Sequence, residues 1–103
     1  MKTVLIIDDE IDICNNIKVI LEDEGYKADI ALNADDALIS LKNVSYNLVI
    51  LDVWLDNSKY DGLEILKQIR KDKDIPVIII SGHGNIEMAV SAIKDGANEF
   101  IEK

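Results

Sequence analysis

The chain has 103 residues, 49% of them apolar and 30% charged, with one proline and five glycines. So short a chain supports one core rather than two, and its apolar fraction excludes a disordered or collagen-like polymer. Eleven Lys and Arg against twenty Asp and Glu leave a net charge of −9, which repels nucleic-acid phosphates and anionic lipid headgroups and argues against direct nucleic-acid binding.

From the amino terminus, compact apolar runs alternate with segments of helical period. The first run is Val4-Leu5-Ile6-Ile7. After it, Ile13, Ile17, Ile20 and Leu21 recur at i, i+4, i+7 and i+8, and Gly25 stands where a left-handed residue stops a helix. The second run, Ala28-Asp29-Ile30-Ala31, is interrupted by Asp29 and reads as an edge strand. Asn33, with Asp36 three residues on, opens a second helix whose apolar face is Ala34, Ala37, Leu38 and Leu41. Leu48-Val49-Ile50-Leu51 is the third run. Asp61 with Glu64 opens a third helix carrying Leu63, Leu66 and Ile69, and Pro76 leads into the fourth run, Val77-Ile78-Ile79-Ile80. A fourth helix carries Ile86, Ala89, Val90 and Ile93 and ends at Gly96, before a short fifth strand, Glu99-Phe100-Ile101.

Continuous apolar runs are what strands covered on both faces require, and their alternation with helices is the mark of βα units on a parallel sheet. The predicted fold is therefore α/β: a flavodoxin-like, doubly wound, five-stranded parallel sheet in the order 2-1-3-4-5. No helical segment follows the fifth strand, so its face is predicted to be partly bare.

Cys14 is the single cysteine, which excludes an internal disulfide or a cysteine-based zinc cluster and fits a reducing compartment. The amino-terminal run before Asp8 is shorter than a signal-peptide core of about 7–15 residues. No run approaches the roughly 20 residues of a membrane span. These readings predict a soluble, cytoplasmic protein with no membrane partner.

In an open α/β sheet, ligands sit beyond the carboxyl ends of the strands at the switch point, here between the first and third strands. The first strand ends in Asp8-Asp9 and the third in Asp52, so three carboxylates converge on one crevice. Like charges at that range repel unless a cation is present, and Mg²⁺ suits a site with few carboxylates. A bland alternative has Asp9 capping the first helix and Asp8 in solvent, with Asp9, Glu10 and Asp12 favoured by the helix dipole. It leaves Asp52 unexplained, because an aspartate closing a run of large apolar residues serves no packing purpose. The fourth strand ends in Ser81, and Lys103 follows the fifth. Either alone reads as an ordinary surface residue; together with the carboxylates they are parts of a phosphoryl site. An aspartate can attack phosphorus in line when a metal ion, an ammonium and hydroxyl or backbone donors neutralise the equatorial oxygens.

Over its whole length the chain resembles the receiver domain of two-component response regulators. The resemblance rests on Asp8-Asp9, Asp52, Ser81, Phe100 and Lys103 in order, each at the end of its strand. The strings Ser81-Gly82-His83-Gly84-Asn85-Ile86, Ala89-Val90-Ser91-Ala92-Ile93-Lys94 and Phe100-Ile101-Glu102-Lys103 are similar to those of nitrogen-regulation activators, as are Asp52-Val53-Trp54-Leu55 and Asp61-Gly62-Leu63-Glu64-Ile65-Leu66.

The resemblance implies that Asp52 accepts phosphate from a phosphohistidine on a sensor histidine kinase. Asp9 and Asp52 would ligate Mg²⁺ directly, Asp8 would act largely through water, and the backbone carbonyl of Trp54 would complete the metal set. Lys103 would pair with the acyl phosphate, Ser81 would swing to bond a phosphoryl oxygen, and Phe100 would turn inward behind it. That is a phosphoacceptor switch rather than an enzyme, controlling a transcription-activator output. Residues 1–103 would be one receiver domain ending after its fifth strand, with the family's fifth helix and any output domain beyond it. A homodimer through the strand-five face is a further expectation. Departures from the family pattern are serine rather than threonine at 81, phenylalanine without a hydroxyl at 100, and a long loop from Leu55 to Tyr60 without the usual proline.

The remaining notable residues take ordinary roles: His83 as solvent-facing or structural, Cys14 as a small core hydrophobe, and Trp54 and Tyr60 as a partner contact or as aromatics folded over their loop. Three rivals are weaker. A dehalogenase-type phosphatase places a second aspartate two residues after its nucleophile, where this chain has Trp54. A flavodoxin-like cofactor binder needs a phosphate-accepting loop where Asp8-Asp9-Glu10 would repel it. An unphosphorylated interaction module has no use for the full residue set.

Overall fold

The structure is a computed structural model that describes residues 2–52, 62–72, 74–81, 93–94 and 96–102. Five strands, β1 (Thr3–Ile7), β2 (Lys27–Ala31), β3 (Leu48–Asp52), β4 (Val77–Ser81) and β5 (Glu99–Glu102), form one sheet in the order β2-β1-β3-β4-β5. Every pairing is parallel. The three described helices are α1 (Ile11–Asp23), α2 (Ala34–Asn43) and α3 (Gly62–Asp72). Both the strand order and the edge position of β2 agree with the sequence pattern.

Alternation along the strands divides the core in two. Leu5, Ile7, Val49, Leu51, Val77 and Ile79 pack with Ala34, Ala37 and Leu41 of α2 and Ile65, Leu66 and Ile69 of α3. On the opposite face Val4, Ile6 and Ala28 pack with Cys14, Ile17 and Leu21 of α1. Each large side chain so buried contributes about 1.5–3 kcal/mol of transfer free energy. In β3 the residues toward α2 and α3, Val49 and Leu51, are fully buried, whereas Leu48 and Ile50 on the α1 side are half-buried. Ile101 of β5 is 51% exposed.

The chain punctuation works as its residue types dictate. Gly25 takes φ +91° after α1, its amide donates to the Glu22 carbonyl at 3.1 Å, and the Tyr26 amide donates to the Leu21 carbonyl at 3.0 Å. These two bonds are a Schellman stop, which needs a left-handed residue at that position. Asn33 caps α2 by accepting from the Asp36 amide at 2.8 Å. The helix predicted around Ile86 to Ile93 lies, apart from helical residues 93–94, outside the described residues, as do Asp61 and His83. No helix among the described residues is long and apolar enough to cross a membrane.

The helical spacing predicts Ile20 on the apolar stripe of α1, yet it is 64% exposed, while Cys14 is fully buried. At 3.6 residues per turn Ile20 sits about a third of a turn around the helix from Cys14. The buried stripe is centred on Cys14, Ile17 and Leu21, and Ile20 falls outside it.

Candidate functional site

Asp8 follows β1 and Asp52 closes β3, and these strands are neighbours whose last paired residues are Ile7 and Leu51. Asp8 and Asp52 therefore stand side by side, one residue past that pair, on strands spaced about 4.8 Å apart. Asp8 is fully buried and Asp52 is 2% exposed; they are the buried charged residues of the described core. The alternative with Asp8 in solvent is thereby excluded.

Local bonds hold Asp8 in this place. Its amide donates to the Ala31 carbonyl of β2 at 3.1 Å, and its Oδ1 accepts from the Glu10 amide at 2.9 Å. The latter bond bends the chain between β1 and α1 and directs the carboxylate. From below, the buried Cys14 Sγ donates to the Asp8 carbonyl at 3.4 Å. The residue preceding α1 is Glu10, which makes no side-chain capping bond, so Asp9 is not the cap that a purely structural reading required.

Asp8, Asp9 and Glu10 each offer a carboxylate oxygen within 4.8 Å of the others. Asp9 is half-buried and Glu10 exposed, so the cluster opens from the buried sheet edge toward solvent. This tight group differs from the expected trio: Glu10, assigned only to the helix dipole, belongs to it, and Asp52 stands at the adjoining strand end. The signal for Glu10 was the unbroken acidic run Asp8-Asp9-Glu10 itself. Hard, all-oxygen donors converging on a partly buried edge fit a hard divalent cation.

Ser81 closes β4 and pairs in register with Glu102, the last residue of β5. Phe100 pairs with Ile79 and is half-buried against the α2–α3 side of the core. The Ser81 side chain, Trp54, the loop from Leu55 to Tyr60 and Lys103 lie outside the described residues.

Comparison with known proteins identifies this arrangement. Residues 4–103 match the response regulator receiver domain. The chain is 54% identical over 101 residues to the nitrogen assimilation regulatory protein NtrX of Azorhizobium caulinodans, covering 97% of this chain and 22% of that protein. The crystal structure of the receiver domain of NtrX from Brucella abortus superposes with a TM-score of 0.92 at 50% identity, covering 97% of this chain and 84% of that one. A response regulator from Burkholderia pseudomallei, solved with a phosphorylated aspartic acid, calcium ion and citrate, superposes with a TM-score of 0.93 at 29% identity, over 100% of this chain and 60% of that one. The chain spans about a fifth of the length of the NtrX proteins it matches. With its sheet order, its buried strand-end aspartates and a match over nearly its whole length, the chain belongs to the response regulator receiver domain family.

Proposed function

We propose that the chain is a phosphorylation switch in which Asp52 is the phosphoacceptor. The observation that carries this reading is the pair of buried carboxylates, Asp8 and Asp52, on neighbouring strand ends. Burying like charges side by side costs several kcal/mol in a low-dielectric edge, and such an arrangement persists where function uses it. The phosphorylated aspartic acid of the Burkholderia relative supports the same chemistry.

A carboxylate oxygen of Asp52 attacks phosphorus in line. The P–O bond forms as the P–N bond to a kinase phosphohistidine breaks, and the imidazole leaves with the electron pair. Asp9 and Asp52 would hold Mg²⁺ directly, Asp8 would act through water, and the backbone carbonyl of Trp54 would complete the protein's share. When bound, Mg²⁺ neutralises charge on the equatorial oxygens. Lys103 pairs with the acyl phosphate and Ser81 bonds a phosphoryl oxygen, while Phe100 moves further into the space beside Ile79. The partner is a sensor histidine kinase and the setting is the cytoplasm. The output is control of transcription in nitrogen regulation by a segment outside this single receiver domain. The module takes part in its own phosphotransfer and dephosphorylation and turns over no other substrate. A homodimer would use the β5 face, and the half-exposed Ile101 on that strand supports this reading.

Intact-mass analysis after incubation with acetyl phosphate and Mg²⁺ tests the reading. One labile phosphoryl group is expected, absent from Asp52→Asn and from a chelator-treated sample. Equal labelling of Asp52→Asn would move the acceptor elsewhere.

A further inference from the structure

Arg70, in the last turn of α3, gathers acceptors from two other segments. Its Nη1 donates to the Ile75 carbonyl at 2.7 Å, its Nε to the Gly96 carbonyl at 2.9 Å, and its Nη2 to Asn98 Oδ1 at 3.0 Å. Asn98 Oδ1 also accepts from the Val77 amide at 2.9 Å, and the Asn98 amide donates to the Val77 carbonyl at 2.9 Å. The end of α3, the entry to β4 and the turn before β5 are thus tied through one guanidinium. Gly96 is shaped to this clamp: its φ is +108°, and a Cβ there would lie 2.9 Å from Arg70 Nε and 3.0 Å from its Cγ.

The clamp stands where β5 most needs it. β5 has four residues and lies at the sheet edge with β4 as its single neighbour, so its ladder is short and one-sided. A slip of one residue would turn Phe100 off the core and put Ile101 in its place, because side chains alternate between faces. It would also displace Glu102 from its pairing with Ser81 at the carboxyl end of the sheet. The clamp is at the start of the strand and the expected site at its end, about 13 Å away for four extended residues.

We propose that Arg70 is a positioning residue for phosphotransfer: it fixes the register of β5 and thereby the place of Phe100 and of the strand end that pairs with Ser81. The inference rests on the reading of Asp52 as phosphoacceptor. Arginine suits the task because its planar fork serves three acceptors in fixed directions, which a lysine ammonium does not reproduce. The carboxylates read as holding the metal stand at the ends of β1 and β3, away from the Ile75, Gly96 and Asn98 acceptors of the clamp, so the two halves of the site separate experimentally.

The full chain, Arg70→Lys and Arg70→Ala are compared by hydrogen exchange, by calorimetric titration with Mg²⁺, and by the initial rate of labelling with acetyl phosphate. Arg70→Lys is expected to keep Mg²⁺ affinity and β1 and β3 protection, to exchange β5 amides faster, and to label roughly tenfold or more slowly, since misplacement near an ångström costs up to about 10²-fold. If Arg70→Ala fails to fold, Arg70→Lys decides. Unchanged β5 exchange, or faster β5 exchange with an unchanged labelling rate, would overturn the inference. So would a loss of Mg²⁺ affinity by the same factor as the rate, which marks general loosening. Absence of label on the parent chain would instead sink the phosphoacceptor reading, leaving the register claim to the exchange data.

Discussion

The Tyr46 hydroxyl donates a 2.8 Å hydrogen bond to Asp29 Oδ2, joining the α2–β3 loop to the middle of edge strand β2. Tyr46 is 6% exposed and packs in the α2–α3 side of the core, so its ring fills space while its hydroxyl satisfies a carboxylate on the strand. Burial, then the hydrogen bond to Asp29 and the repulsion of that carboxylate for a phenolate, push the Tyr46 hydroxyl up to about 12, with a Ser40 hydrogen bond acting the other way.

The pH consequence has a definite sign. Since the folded value lies above that of a free tyrosine, about 10, the unfolded chain loses this proton first as pH rises. The stabilisation is complete below pH 10 and declines toward pH 12. Unfolding midpoints measured across this window should fall more steeply for the parent chain than for Tyr46→Phe. Parallel curves would show that the bond makes no difference between the two states.

The face of α1 offers a contrast with the core. Ile20→Gln should change stability by no more than about 0.5 kcal/mol, as for other exposed sites. Leu66→Ala, in the fully buried part of α3, should cost about 2–5 kcal/mol through lost burial and an unfilled cavity. Denaturant unfolding of the two variants checks the corrected orientation of α1; a cost for Ile20→Gln comparable with Leu66→Ala would refute it.

At the start of α2, Asn33→Ala removes the acceptor for the Asp36 amide. The expected loss is about 1 kcal/mol, and Asn33→Asp or Asn33→Ser should restore most of it because both supply a capping oxygen. A destabilisation shared equally by all three variants would mean that the cap bond contributes nothing.

Much of this was legible in the sequence because it is written locally. The strand runs fixed which segments enter the sheet, Gly25 and Asn33 marked where helices stop and start, and the acidic strand ends marked the candidate site. Ile20 was misplaced because four apolar residues at helical spacing define a stripe without fixing its centre; the buried Cys14 settles it. Asp29 signalled an edge strand, but its partner Tyr46 lies 17 residues on, and Arg70 reaches Gly96 and Asn98 across 26 and 28 residues. Such long-range polar contacts have no period, so no local pattern announces them. Glu10 was read as part of a helix start because its distance to Asp8 and Asp9 emerges only when the Asp8 carboxylate turns the chain there.

Mg²⁺ should stabilise the fold if the strand-end carboxylates bind it. At a free concentration of about 100 times its dissociation constant, a ligand restricted to the folded state adds roughly 2.7 kcal/mol. The parent chain should melt higher with Mg²⁺ and return to its original midpoint on chelation, whereas Asp9→Asn should show a much smaller rise. An equal rise in both would place the cation elsewhere.

The most direct test is chemical trapping of the acceptor. After labelling with acetyl phosphate and Mg²⁺, borohydride reduces an aspartyl phosphate to homoserine, and peptide mapping locates the converted residue. Homoserine at position 52 alone is the expected result. Conversion at Asp8 or Asp9 with Asp52 intact, or no conversion in a folded, Mg²⁺-loaded chain, would contradict the assignment.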